Sequence, residues 1–263
     1  HPKFSQTNVV TGRLSCSDPN FQNIPRGDKL PIKRVIQSRF DDGEIIEMDF
    51  AQLEFRVAAF LSQDSQAIQD ILEGVDVHQN TANVIGCDRQ TAKAHTFKPL
   101  YGGMSGTDEE KKYYSYFRKR YKGITLWQEQ TEDTAISTSF VTLPSGRQYY
   151  FEGIKRASWG GSNFYTQVRN YPVQGFATGD IVPVACIDIY KSMKNMRTRL
   201  INTVHDSIII DAHPEEVDSV LNKLKKACDG IAQSINKRYN IDFNVPLDYE
   251  IKKGHNWLDL KRI

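Results

Sequence analysis

Apolar and polar positions change from a strand-like to a helix-like spacing close to residue 49. Residues 45–50 form a short apolar run rich in residues that favour strands. Over residues 52–61 four apolar side chains recur at helical spacing, namely Leu53, Val57, Phe60 and Leu61. This change predicts a strand that leads into a helix near Asp49. An acid at the end of a buried strand suits a metal site, whereas an acid before a helix is commonly an N-cap, and the stretch itself leaves both interpretations open.

A second patterned stretch covers residues 88–103. Asp88 suits a helix N-cap, and four side chains then recur every four residues: Arg89, Lys93, Phe97 and Tyr101. On one helix face, two cations can hold a polyphosphate while two rings offer flat surfaces to a sugar or a base. The spacing is therefore typical of a nucleotide-binding helix face, and by itself it leaves an ordinary helix open as the alternative. Pro99 predicts that the helix ends or kinks near that position.

A third stretch covers residues 200–212. Two strand-prone runs, 200–204 and 207–211, meet at His205 and Asp206, which predicts a hairpin with the acid on its turn. By itself Asp206 is an ordinary turn residue. Together with Asp49 it forms a pair of carboxylates on rigid β elements, which can converge on two divalent ions roughly 3.5–4 Å apart. With a separate cationic helix to deliver a triphosphate, the three stretches predict nucleotidyl transfer.

The remaining pattern predicts mainly helices. We expect helices over residues 64–74, 76–86, 109–121, 124–137 and 214–237, a hairpin over 140–151 and a strand over 245–252. His78 falls in the first turn of its helix, where the N-terminus favours anions, so it is either a phosphate contact or a structural histidine. Asn170 and Gln174 lie four residues apart and can offer amide groups to base edges, or they are plain surface residues.

Composition narrows the classes of protein. The 263 residues hold 34 Lys and Arg against 32 Asp and Glu, so nucleic-acid affinity must come from local patches. Four widely spaced cysteines form no CxxC pair, which argues against a zinc site or a disulfide framework and favours an intracellular, cytoplasmic setting. No apolar run reaches membrane-spanning length. One cationic group is either a solvated face or a phosphate-neutralising patch: Lys29, Lys33, Arg34 and Arg39.

Six stretches, in order along the chain, resemble the motifs of the family A DNA polymerases, the bacterial DNA polymerase I type. They are residues 11–15 with 20–25, 49–56, 89–102, 170–175, 204–207, and 245–247 with 256–257. The resemblance spans almost the whole chain. It implies a polymerase of the α/β (α+β) class, with a palm built on an antiparallel sheet and an inserted helical fingers domain. The implied bounds are palm 1–66, fingers 67–165 and palm 166–263.

The resemblance also implies roles for individual residues. The metal ligands would be Asp49, Asp206 and the backbone carbonyl of Phe50, holding two Mg²⁺ ions for which Mn²⁺ can substitute. The residues implied to bind the deoxynucleoside triphosphate are Gln52, Glu54, His78, Arg89, Lys93, Phe97 and Tyr101. Lys93 would join the two acids in catalysis as the proton donor to pyrophosphate, and Glu54 would be the steric gate against a ribose 2′-hydroxyl. The residues implied to bind primer-template DNA are Arg13, Asn170, Gln174 and His205. A phenylalanine at position 97 implies poor incorporation of dideoxynucleotides.

Some positions depart from the family pattern. Thr166 stands where an arginine is usual, although Arg169 is close by, and Pro99 interrupts the second motif. The chain begins where a palm would begin, so we expect no thumb or exonuclease domain and low processivity unless an upstream segment or a processivity partner supplies them. The motif variants favour a phage-like or viral member, which would act in the host cytoplasm.

Three other activities stay open at this point. A single-subunit RNA polymerase shares such a palm, but Glu54 argues against it. A catalytically weak or silent DNA-binding fragment of a larger polymerase fits the expected absence of a thumb, but the retained acids Asp49 and Asp206 argue against it. A metal-dependent nuclease would leave the stripe from Arg89 to Tyr101 unexplained.

Overall fold

The computed structural model describes residues 2–25 and 30–263, so Lys29 of the cationic group lies outside the described residues. The chain divides into two compact units. Unit 1 comprises His1–Leu53, Ala177–Asp242 and Leu247–Ile263, and unit 2 comprises Glu54–Phe176 and Phe243–Pro246. The predicted palm and fingers bounds differ from this division by about a helix, and the assignment of those two names stays a prediction.

The strands of the described chain are mostly short. They are β1 Lys3–Ser5, β2 Ser15–Ser17, β3 Glu44–Phe50, β4 Phe140–Thr142, β5 Gln148–Tyr150, β6 Arg199–Val204, β7 Ser207–Ala212, β8 Tyr249–Gly254 and β9 Lys261–Arg262. Unit 1 contains an antiparallel sheet in the order β6-β7-β3-β8-β9, together with the β1-β2 pair. Unit 2 contains the β4-β5 hairpin, which was predicted over residues 140–151. The predicted mixture of helices with an antiparallel sheet is confirmed.

The central strands of the sheet owe their position to their side chains. Ile45, Ile46 and Met48 of β3 are fully buried, and every residue of β7 is buried. A continuous apolar run of this kind fits a strand covered on both faces. Ile45 packs in one cluster with Val204, Ile209 and Trp257. The sheet therefore forms a rigid platform at whose end β3 and the β6-β7 turn lie side by side.

The helices of the described chain are 8 to 17 residues long, and the N-cap predicted at Asp88 is confirmed. They are α1 Leu53–Ser62, α2 Ser65–Leu72, α3 Val77–Ile85, α4 Arg89–Thr96, α5 Asp108–Arg120, α6 Lys122–Thr138, α7 Tyr165–Gln174, α8 Val182–Ser192, α9 Val217–Asp229 and α10 Ile231–Tyr239. Asp64, Asp76 and Asp88 each accept hydrogen bonds from the first-turn amides of α2, α3 and α4. A π-helical segment, Gly175–Ile181, follows α7. In the described part of the chain, no helix combines the length and the apolar character that crossing a membrane requires.

One prediction about the helices is confirmed and two predicted elements differ from the structure. The helix after Asp88 ends at Thr96, close to Pro99 as predicted, and a separate 3₁₀ turn, Lys98–Tyr101, follows it, since proline has no amide hydrogen to continue the helix. The predicted helix 214–237 is a 3₁₀ turn followed by α9 and α10, with Gly230 at the break. The predicted strand 245–252 starts only at Tyr249, because residues 243–246 belong to unit 2, where the Phe243 ring packs 4.6 Å from that of Phe60.

Candidate active site

Asp49 lies inside a strand and not at the start of a helix. It is the last residue but one of β3, opposite Ser207 of β7 and Glu250 of β8. Helix α1 begins four residues later, at Leu53. The N-cap interpretation of Asp49 is therefore wrong, and the acid is held by hydrogen-bonded strands on both sides.

Asp206 lies on the two-residue turn that joins β6 to β7. The turn requires a left-handed backbone at His205, with φ 56°, and the amide of Phe50 donates to the Asp206 carbonyl at 3.3 Å. Because Asp206 directly precedes Ser207, which pairs with Asp49, the two acids lie at the same end of the neighbouring strands β3 and β7. Both side chains are half-buried. The sheet thus brings together two carboxylates that the sequence separates widely.

The metal-ligand atoms that Asp49, Asp206 and the backbone carbonyls offer at this end of the sheet are oxygens, which suit a hard divalent cation such as Mg²⁺ or Mn²⁺. No cluster of three or more His, Cys, Asp or Glu side chains placed to bind a metal occurs among residues 2–25 and 30–263. Glu250 faces Asp49 across the sheet, but its carboxylate lies 3.0 Å from the guanidinium of Arg262. A metal here would therefore depend on the two aspartates, backbone carbonyls and groups from a substrate, and the residues present fit that demand.

Two of the residues predicted to bind DNA share a small cavity in unit 1. Arg13 and His205 line a space of about 30 Å³, together with Gln22, whose amide donates to the Thr203 carbonyl at 2.9 Å. A cavity of this size corresponds to about one water molecule. The Nε of Arg13 donates to the hydroxyl of Thr178 at 2.9 Å. The loop that carries Arg13 is therefore anchored beside the turn that carries Asp206.

The approach of that loop depends on Gly179 in the π-helical segment. A Cβ at this position would lie 2.5 Å from the carbonyl oxygen of Thr11. Glycine therefore allows the backbones to meet closely, and Thr178 beside it holds Arg13. Neither residue was predicted, because the partners are 165 positions apart and a Thr-Gly pair carries no specific signal.

Helix α4 carries the two predicted phosphate ligands of unit 2. Arg89 already forms an ion pair, with its Nε 2.7 Å from a carboxylate oxygen of Asp76. Asp76 also caps α3 by accepting from the amides of His78 and Gln79 at 3.0 Å. The Asp76 carboxylate thus occupies the N-terminus of α3, the helix end at which the sequence placed a possible phosphate contact, His78. Lys93 is exposed and has no ion pair among the described residues.

The predicted aromatic residues are not on α4, so the single helical stripe from Arg89 to Tyr101 is wrong in its second half. Phe97 follows α4 as its cap, and Tyr101 lies in the 3₁₀ turn, half-buried. The Phe97 ring is stacked 5.9 Å from that of Phe55 and lies edge-on, 5.1 Å from the ring of His78. Position 97 is therefore fixed by packing with two neighbours.

His78 lies in a cationic neighbourhood. Its Nδ1 is 3.0 Å from the hydroxyl of Thr96. Burial lowers the pKa of the imidazole below 6.5, and the charge of Arg89 lowers that pKa further; the Asp76 carboxylate opposes this shift in part, and Lys93 adds to it. The ring is therefore mostly neutral above pH 6.5 and would meet a phosphate as a hydrogen-bond donor and not as a cation.

Helix α7 presents the two predicted amide residues, Asn170 and Gln174, both half-buried. The Oδ1 of Asn170 is buried and has no hydrogen-bond partner among the described residues. Arg169 beside it is buried and ion-paired with Glu132 at 2.9 Å, while Thr166 is exposed. Arg169 therefore does not offer an exposed guanidinium in place of the arginine missing at position 166.

The cationic group of the N-terminal part is engaged in structural contacts. Lys33 lies over the Trp257 ring at 3.8 Å, Arg34 pairs with Asp259 at 3.2 Å, and Arg39 pairs with the buried Asp211 at 3.3 Å. These contacts favour a structural role for Lys33, Arg34 and Arg39, and not the neutralisation of phosphates.

The model of DNA polymerase family A matches residues 1–259. The chain belongs to DNA polymerase family A. It is 30% identical to DNA polymerase I of Caldicellulosiruptor bescii, over 99% of this chain and 32% of that protein. It is 28% identical to the thermostable DNA polymerase I of Thermus aquaticus, over 99% of this chain and 33% of that protein. The chain thus spans about a third of the length of these curated relatives.

A solved structure of the POL domain of Pol1 from M. smegmatis, in complex with DNA primer-template and dNTP, shares the fold. The TM-score is 0.81 at 24% identity, covering 99% of this chain and 48% of the solved chain. The family identified from six sequence stretches is thereby confirmed. Family A polymerases depend on metal ions in general, in keeping with the oxygen donors at the sheet end.

Proposed function

We propose that the chain carries out template-directed DNA synthesis, transferring a nucleotide from a deoxynucleoside triphosphate to a primer 3′-hydroxyl. The main support is the placement of Asp49 on β3 and of Asp206 on the adjacent β6-β7 turn, at one end of the sheet, in a chain that belongs to DNA polymerase family A. In this proposal unit 1 contains the palm and unit 2 the fingers. The relatives named DNA polymerase I and the solved complex with primer-template and dNTP favour these substrates.

Unit 1 contributes the acidic ligands. Asp49, Asp206 and the carbonyl of Phe50 would hold two Mg²⁺ ions, with Mn²⁺ as a substitute, and the ions would lower the pKa of the attacking hydroxyl and neutralise charge on the phosphates. The hydrogen-bonded strands fix both aspartates before substrate binds, so little reorganisation is needed during the reaction. Arg13 and His205 lie beside Asp206 and would contact the DNA minor groove, with Asn170 and Gln174 on α7 as further contacts.

Unit 2 contributes the residues for the nucleotide. Lys93, exposed and without an ion pair among the described residues, would bind the phosphates and donate a proton to pyrophosphate as it leaves. Arg89 must exchange its contact with Asp76 for a phosphate, an exchange that an exposed pair makes at low cost. Phe97 and Tyr101 would line the sugar and template side, His78 would donate a hydrogen bond to a phosphate, and Glu54 would act from the first turn of α1. Gln52, which precedes α1 and belongs to unit 1, would contact the nucleotide from that unit.

Glu54→Ala should relax sugar selection. Removing the side chain removes the clash with a 2′-hydroxyl, so the ratio of ribonucleotide to deoxynucleotide incorporation should rise roughly a hundredfold, the scale on which a pocket rejects an added hydroxyl. Single-nucleotide incorporation with matched ribo- and deoxynucleotides measures this ratio. Glu73→Ala, an exposed acid of the same unit, is the control. An unchanged ratio in Glu54→Ala would remove the steric gate from the proposal.

Primer extension tests the proposed function itself. With a primed DNA template, Mg²⁺ and one deoxynucleotide at a time, the chain should add only the nucleotide complementary to the next template base. Addition that ignores the template would contradict DNA-directed synthesis. No addition, with primer-template binding retained, would identify a silent DNA-binding fragment.

A further inference from the structure

A pocket in unit 2 has an exposed tryptophan at its edge and does not belong to the site described above. The pocket measures about 430 Å³, and Trp159, Tyr165 and Arg169 are among its lining residues. Trp159 is 62% exposed although it is the largest apolar side chain of its loop. Its ring lies edge-on against that of Tyr165, with centroids 5.1 Å apart. An exposed ring held in this way is a surface for stacking and not part of a core.

The loop around Trp159 fixes the position of the ring. The amide of Ala157 donates to the Gly161 carbonyl at 2.6 Å, and Arg156 links the Gly160 carbonyl at 2.7 Å to Asp133 of α6 at 2.5 Å. A Cβ on Gly161 would lie 2.0 Å from the Trp159 ring. The glycine therefore leaves room for the ring to fold back over the backbone. A preorganised aromatic surface loses little entropy when a flat ligand stacks on it.

The charges in the pocket select the kind of ligand. Three arginine–carboxylate pairs line it, and each arginine is balanced by one acid: Arg118–Glu129, Arg156–Asp133 and Arg169–Glu132. A wall with balanced charge gives a free phosphate no net attraction. It does admit a flat, neutral group with polar edges. Arg169 is buried and its guanidinium lies over the Tyr165 ring at 4.1 Å, so this arginine is part of the pocket wall and not a free cation in it.

The pocket adjoins the segment proposed to line the template side of the nucleotide site. The hydroxyl of Tyr165 donates to the carbonyl of Gly102 at 2.6 Å, and Gly102 follows Tyr101 directly. All these residues belong to unit 2. We propose that this pocket binds an unpaired base of the single-stranded template, stacked on Trp159. The assignment rests on the proposed function, because a template strand that runs past Tyr101 is what would bring such a base here.

Tryptophan fluorescence tests the site without any need for catalysis. Titrating the whole chain with a short oligothymidylate should quench Trp159, whereas an abasic oligonucleotide of equal length should quench it weakly. Trp159→Ala should lose that quenching and bind the oligothymidylate about 5- to 140-fold more weakly, the usual range for one stacked base. Trp159→Phe should keep most of the affinity. Gly161→Ala should weaken binding in the same direction by displacing the ring.

Tyr150→Ala serves as the matched control, since Tyr150 is an exposed aromatic of the same unit outside the pocket. Equal affinity of wild type and Trp159→Ala, or equal quenching by the abasic strand, would overturn the proposal. Primer extension separates the two hypotheses. Quenching at Trp159 in a chain that extends no primer would support the pocket and refute the polymerase. Extension without any quenching would support the polymerase and refute the pocket.

Discussion

Asp206→Asn should lower the rate of primer extension by about a thousandfold or more. The substitution removes one negative charge from a metal site that relies on two aspartates, and the loss of several kcal/mol of transition-state stabilisation corresponds to about three powers of ten. Asparagine suits a turn as well as aspartate does, so the β6-β7 hairpin should keep its shape. Single-turnover extension in Mg²⁺, with a melting curve to confirm folding, measures the effect.

Asp218→Asn provides the control, because Asp218 is an exposed acid on α9 of the same unit. Asp49→Asn should match Asp206→Asn, and the double variant should be scarcely slower than either, since groups that act as one unit are not additive. Extension at more than a tenth of the wild-type rate by folded Asp206→Asn would contradict the two-aspartate mechanism.

The strand-prone runs of the sequence were sufficient to predict both acids on β elements. They could not predict how those strands pair: every residue of β7 is buried, so no alternation of buried and exposed positions sets its register, and the structure is what places Ser207, next to Asp206, opposite Asp49. The same argument could not choose between N-cap and strand for Asp49. That choice depends on where α1 begins, and Gln52, with φ 54°, supplies a left-handed residue between strand and helix that no periodicity shows.

The helical stripe failed for a local reason. Residues spaced four apart lie on one face only within a continuous helix, and Pro99 prevents the helix from continuing to Tyr101. The packing of Phe97 against Phe55 and His78, which fixes its position instead, joins residues from three helices or their caps. Contacts of this kind depend on tertiary structure, as do the pairing of Arg13 with Thr178 and the orientation of Trp159.

Arg169 shows how a neighbour in sequence can mislead. Its position three residues after Thr166 suggested a stand-in for a missing DNA-binding arginine. The structure instead leaves its side chain 8% exposed and that of Glu132 5% exposed, with Gln128 also accepting from Arg169 at 3.3 Å. The side chain connects α6 and α7, which carries Asn170 and Gln174.

Arg169→Met should therefore destabilise the protein by about 3–5 kcal/mol, because it leaves the Glu132 carboxylate buried without its cation. Equilibrium urea unfolding, followed by circular dichroism, measures the change in the free energy of unfolding. Arg118→Met is the matched control: that arginine pairs with the exposed Glu129 at 3.2 Å and should cost less than about 1 kcal/mol. Equal effects of the two variants would contradict the structural role of the buried pair.

The double variant Arg169→Met with Glu132→Leu separates the charge from the packing. Removing both charges also removes the desolvation penalty, so the double variant should be more stable than Arg169→Met alone. The free energy of unfolding of the double variant should stay below that of wild type, because the Ser162 amide, which donates to Glu132, loses its acceptor at a cost of about 1–3 kcal/mol. A double variant less stable than Arg169→Met would mean that the pair contributes through its shape and not through its charge. If the pair acts through charge, as expected, the stability of the α6-α7 contact depends on Arg169 being present to neutralise Glu132.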